Sequence, residues 1–166
     1  MREPVRDRER LEHIKDAIER IQDNIKTVSL DNLSSNVLVF YGIVKNIEII
    51  GEAAYNLTNA FRNSHMETPW KSVMSMRNIL VHDYYKIKES QIRYVIEDDL
   101  TPLFEQVKRY LSETDWAEWE KNEQAKAESA VHKSLMQTAY CMKKDGMTTQ
   151  QISRYTGLTA EEIEGL

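Results

Sequence analysis

The chain is poor in everything that interrupts a helix or staples a small fold. Its 166 residues include five glycines, three prolines and one cysteine, Cys141. A lone cysteine excludes an internal disulfide and a cysteine metal cage. The four histidines, His13, His65, His82 and His132, are scattered without ligand-like spacing, so no metal site is expected. There is no glycine-rich phosphate loop and no triad-like serine motif, which leaves no sign of a bound cofactor. No apolar run approaches the ~20 residues of a membrane-spanning helix. The N-terminus, Met1-Arg2-Glu3-Pro4-Val5-Arg6-Asp7-Arg8, carries charge but no apolar signal region. The expectation is a cytoplasmic protein with no membrane contact.

What is present reads as helix. Hydrophobic residues make up 41% and charged residues 30%, and few breakers separate runs rich in Glu, Lys, Gln, Ile and Leu. Leu11, Ile14, Ala17, Ile18, Ile21, Ile25 and Val28 recur at steps of three and four, predicting a first helix over about 8–28. After a turn at Ser29–Asn32, a second helix is expected over 33–63. Its apolar residues reach more than halfway round, so part of that surface is a candidate dimer interface. Thr68 and Pro69 read as the N-cap and first position of a third helix. Ser90 opens a fourth, which Pro102 should kink. Four amphipathic helices with short links predict an all-α, up-and-down four-helix bundle over 1–112. Residues 113–166 read as a helical connector and a small tail. There Thr148 with Gln151, and Thr159 with Glu162, are capping boxes on either side of Thr156-Gly157-Leu158, resembling a helix-turn-helix fragment.

The stretch Arg77-Asn78-Ile79-Leu80-Val81-His82-Asp83-Tyr84 concentrates the chemistry. On a helix, Trp70, Val73, Arg77, Leu80 and Tyr84 share one stripe. That puts Arg77 on an apolar face, where a charge is costly without a partner or ligand. Asn78 and His82 form a neighbouring stripe. Arg77 and His82 are five apart, about 140° on an ideal helix. They converge only if His82 ends the helix or two copies of the helix face each other. Glu52 follows the apolar run of the second helix and needs a partner, a structural ion pair with Arg77 being one reading. The net charge of −5 argues against bulk nucleic-acid binding. Yet Lys71–Arg93 holds five basic residues against two acids, so Lys71, Lys86 and Lys88 are candidate phosphate contacts.

The Arg-x4-His-x-Tyr spacing, the Ile50-Gly51-Glu52-Ala53-Ala54 block, and Trp70 followed by Arg77-Asn78 resemble HepT-like toxins of the HEPN superfamily over roughly residues 8–112. The resemblance implies a four-helix-bundle homodimer that cleaves RNA without metal, with Arg77 and His82 as catalytic pair and Asn78 in support. It also implies a cognate minimal nucleotidyltransferase antitoxin that transfers AMP to Tyr84, with Tyr85 a second phenol beside it. The same residues fit a non-catalytic HEPN module that binds a nucleotidyltransferase or a nucleotide. A DNA-binding regulator acting through the tail is a third reading, opposed by Glu161, Glu162 and Glu164 on the helix that would enter the groove. The chain after about residue 112 departs from the minimal family pattern, and the resemblance names no RNA target.

Overall fold

The computed structural model describes residues 6–82 and 88–166, with 77–82 described by their backbone. Among the described residues the chain is all-helical, a bundle followed by a C-terminal helical extension. Among the described residues two compact units are present, one through residue 116 and one over residues 117–166. No helix of the described residues is long and apolar enough to cross a membrane.

The first unit is built on α1 (Asp7–Ile25), α2 (Val37–Asn56), α4 (Trp70–His82) and α6 (Leu100–Glu113). Helix α2 packs on both α1 and α4, and α1 packs on α6. The predicted stripe of α1 is the one buried: Leu11, Ile14, Ala17, Ile18 and Ile21 are fully enclosed. From α2 come Ile43, Ile47, Ile50 and Ala54, and from α6 come Leu100, Leu103, Val107 and Tyr110. Each fully buried Leu or Ile contributes about 1.5–3 kcal/mol of transfer free energy. Gly51, Ala53 and Ala54 are all buried, and their small side chains suit the double packing of α2.

The predicted second helix over 33–63 is three elements. A 3-10 segment spans Leu30–Ser35, α2 follows, and α3 covers Asn59–Ser64. The break falls at Leu57 and Thr58, both extended. Three groups stabilise it. Thr58 Oγ1 accepts from Phe61 N at 3.1 Å, capping α3. The fully buried Asp7 accepts from Thr58 N and Thr58 Oγ1, each at 2.7 Å. Arg62 donates to the carbonyls of Ala54, Tyr55 and Leu57, satisfying the last turn of α2.

Two further expectations shift. The fourth helix begins at Glu89 rather than Ser90, as α5 (Glu89–Tyr94), with Lys88 at the N-cap and its N–H bonded to Gln91. In place of a simple kink at Pro102, a π-helical turn over Val95–Asp99 precedes α6. Proline lacks an N–H and crowds the carbonyl four residues back, here Asp98, so the widened turn sits where regular hydrogen bonding fails.

The second unit contains the remainder of α7 (Trp116–Lys144), with α8 (Thr149–Thr156) and α9 (Ala160–Glu164). Gly146 stops α7 at φ +84°. Met147 N bonds Met142 O and Gly146 N bonds Lys143 O, a Schellman closure. Both predicted capping boxes are formed. Ala139, Ile152, Leu158 and Ile163 are its core, with Leu135 and Met142 packed against them. Val131 is exposed.

Candidate active site

The motif is carried by α4, so what fixes α4 fixes the site. Its start is pinned from several sides. Pro69 O accepts from Val73 N at 3.1 Å, so the helix begins at Trp70 with Pro69 just outside it. Thr68 does not use its hydroxyl on the helix. It donates to Gln106 Oε1 at 2.9 Å and pairs with Tyr110 OH at 2.6 Å, tying the helix start to α6. Trp70 Nε1 donates to His65 O at 2.8 Å, and its ring meets Phe61 and Tyr110 edge-on or tilted at about 6 Å. Trp116 stacks on Phe61 at 5.9 Å.

His65 follows α3 at its C-cap, with its ring stacked on Phe61 at 4.2 Å and 4.3 Å from Tyr110. It is a structural histidine of this aromatic cluster. Burial raises the Tyr110 phenol, and its hydrogen bond to Glu67 acts in the same direction. The same Glu67 carboxylate is held low, first by accepting from its own backbone N–H and then from the Tyr110 hydroxyl. Arg109 completes the group at 2.8 Å from Glu67.

The α4 register sorts the motif into two faces. Trp70 and Val73 are buried, whereas Lys71, Ser72 and Ser75 are exposed. Arg77 falls in register with Trp70 and Val73. Asn78 and His82 fall in register with Lys71 and Ser75, at successive steps of four, three and four. Helix α4 is described through His82. The helix is therefore continuous through both motif positions, and Arg77 and His82 leave it about 140° apart. Tyr84, Tyr85 and Lys86 lie outside the described residues.

Glu52 is exposed on α2 and accepts from Asn56 Nδ2 at 2.9 Å. It shares that outer face with exposed Leu38, Tyr41 and Tyr55. Of the basic segment, Lys71 and Lys88 are exposed. Arg93 is not available in the same way: it bonds Asp31 Oδ1 at 2.8 Å and the Leu30 carbonyl. Glu89 likewise accepts from Leu33 N at 2.7 Å and from the Ser34 hydroxyl, which lower its pKa. These two residues latch the 3-10 segment to α5. Among the described residues no group of three His, Cys, Asp or Glu side chains is placed to hold a metal.

A short-linked helical bundle with an Arg-x4-His pair on one helix defines a class shared with known proteins. The family model described as "Ribonuclease HepT-like" matches residues 14–137, and the chain belongs to that family, within the HEPN superfamily. A protein named "Putative RNase" from Caldanaerobacter subterraneus subsp. tengcongensis is 34% identical over 101 residues, 61% of this chain and 90% of the relative. Another of that name from Methanocaldococcus jannaschii is 30% identical, over 58% of this chain and 85% of its own. The "Probable ribonuclease HepT" of Thermococcus cleftensis is 29% identical, over 56% and 84% respectively. No solved structure matches the chain.

Proposed function

We propose that this chain is the toxin of a type VII toxin–antitoxin pair, a metal-independent endoribonuclease acting as a homodimer. The observation that carries the reading is the α4 register: Arg77 and His82 lie about 140° apart on a helix continuous through both positions, within a chain of the HepT-like family. One copy of α4 turns these two residues apart, so each working pair takes Arg77 from one chain and His82 from its partner. The outer face of α2 supports the dimer, since Leu38 is 86% exposed and Tyr41 52%. An apolar side chain left in water on a helix face favours a second protein surface.

Cleaving RNA without a metal needs a base for the ribose 2′-OH, a cation for the crowded phosphate, and an acid for the leaving oxygen. His82, with a reference pKa of about 6.5, serves proton transfer near neutrality. The planar guanidinium of Arg77 matches two phosphate oxygens and stays charged. Asn78 and Glu52 position this pair, and Lys71, Lys86 and Lys88 hold the backbone on either side. A cognate minimal nucleotidyltransferase transfers AMP from ATP to Tyr84: the phenolic oxygen attacks the α-phosphorus, the bond to the β-phosphate breaks, pyrophosphate leaves, and a phosphodiester remains on the tyrosine. The added bulk and negative charge repel the RNA backbone from the cleft.

The test is induced expression of the wild type and Tyr84→Phe, each with and without a minimal nucleotidyltransferase of the antitoxin type. Growth should arrest without the partner in both cases, and the partner should rescue only the wild type. Harmless expression of a folded dimer that leaves RNA intact would replace this reading with a non-catalytic binding module.

A further inference from the structure

Beside the motif face of α4 an open cavity of about 380 Å³ lies against α5 and the π-helical turn. That volume falls within the range of small-ligand sites. Met76 and Val95 give it apolar lining, while Ser72, Gln91, Tyr94 and Asp99 bring polar groups to it. Three of those groups have hydrogen-bonding capacity to offer. Gln91 accepts from Lys88 N through Oε1, which leaves its Nε2 as a donor. Tyr94 is 59% exposed, a free aromatic face at the cavity. Asp99 stands at the N-cap of α6 but its side chain makes no capping bond. It is half-buried, and burial followed by the neighbouring Asp98 raises its pKa, as expected of a carboxylate short of donors.

The cavity and the candidate active site share helix α4. Ser75, which also lines it, is seven residues before His82 and in the same helical register. Seven residues of helix span about 10 Å, a reach suited to a nucleotide beside the cleaved bond. An exposed aromatic ring stacks on any base, and a carboxylate selects among them by donors. Guanine alone presents two adjacent donors, N1–H and N2–H, to the paired oxygens of a carboxylate. Adenine and cytosine offer an acceptor beside the amino group, and uracil has one N–H between two carbonyls.

We propose that this cavity is a nucleobase subsite selective for guanine, with Tyr94 as stacking platform, Asp99 accepting from N1–H and N2–H, and Gln91 donating to O6. The proposal rests on the ribonuclease reading for its biological role, but its chemistry is testable without cleavage.

The experiment is calorimetric titration of the full-length protein with the 3′-monophosphates of guanosine, inosine and adenosine. Inosine lacks only the N2 amino group. The wild type should bind the guanosine nucleotide at least about tenfold more tightly than the other two, since a hydrogen bond to a charged group is worth at least that factor. Asp99→Asn should bring the preference below about twofold, and Tyr94→Ala should weaken all three nucleotides alike, with both variants keeping the wild-type circular dichroism. Equal binding of the three nucleotides, no binding, or a preference that survives Asp99→Asn would overturn the subsite. Cleavage of total RNA is scored separately. Guanine preference with intact RNA removes the nuclease reading and leaves the subsite, whereas RNA cleavage with no Asp99-dependent guanine preference in nucleotide binding removes the subsite alone.

Discussion

Removing the Asp7 carboxylate should unfasten the α2–α3 corner, and its cost follows from the contacts there. Asp7 is fully buried and accepts from Thr58 N and Thr58 Oγ1, both at 2.7 Å. A hydrogen bond to a charged group contributes about 1.5–3 kcal/mol, and an orphaned buried donor costs about as much as the bond it loses. Asp7→Ala should therefore destabilise the first unit by about 3 kcal/mol. Domains of this size are stable by about 5–15 kcal/mol, so the variant should still fold. Asp7→Asn keeps one acceptor of the right shape and should cost about half as much. Thr58→Ala loses the hydroxyl bond and the cap on Phe61 N together, about 1–2 kcal/mol. Because the two changes remove a shared interaction, the double variant should fall short of their sum by about 1 kcal/mol. Urea unfolding followed by tryptophan fluorescence reads these values, since Trp70 and Trp116 are both buried in this unit. A cost below about 0.5 kcal/mol for Asp7→Ala, with an unchanged urea slope, would refute the reasoning.

Three other outcomes are expected. Glu89 has its pKa lowered by Ser34 and Leu33, so its contribution is full above the ordinary value of 4.5 and is lost as pH falls through the lower folded value. Glu89→Gln should consequently flatten the fall of the thermal midpoint between neutral pH and the acid range, and an unchanged curve would exclude the latch. Gly157 sits at φ +74° with open space around the position of a Cβ. Gly157→Ala should therefore cost about 1 kcal/mol by backbone strain alone, read as a lower midpoint for the C-terminal unit. Lys71→Ala and Lys88→Ala should each weaken single-stranded RNA binding and reduce the slope of log K against log salt by about 0.7. Unchanged slopes would take these two lysines off the RNA path.

Periodicity made the helices legible wherever one face is apolar and the other charged, as in α1 and α6. The tail was legible for a different reason: Thr148–Gln151, Thr159–Glu162 and the two left-handed glycines are local signals that need no distant partner. The α2–α3 break was not legible, because its determinant is Asp7, 51 residues away, and Leu57-Thr58 continues an apolar pattern. The role of His65 was hidden for the same reason, since its ring is held by Phe61 on its own helix and by Tyr110 from α6. Thr68 carried a correct boundary signal with the wrong mechanism, its hydroxyl being taken by Gln106 and Tyr110. The cavity beside α4 left little trace in sequence. Ser72 and Ser75 carry no distinctive pattern, and Asp99 is one of three consecutive acids. The motif itself was legible through its family resemblance, and the α4 register adds what spacing alone left open: a helix continuous through both Arg77 and His82.

The most direct test of the central claim is RNA cleavage in EDTA by doubly tagged mixed dimers of Arg77→Ala and His82→Ala. Each variant alone should lose roughly 10²–10⁴ of the wild-type rate. A mixed dimer whose pairs draw Arg77 and His82 from different chains keeps one intact site of two, and should recover about half of the wild-type rate. A mixed dimer as inactive as its parents would contradict the shared site, and a wild type that leaves RNA whole would contradict the ribonuclease.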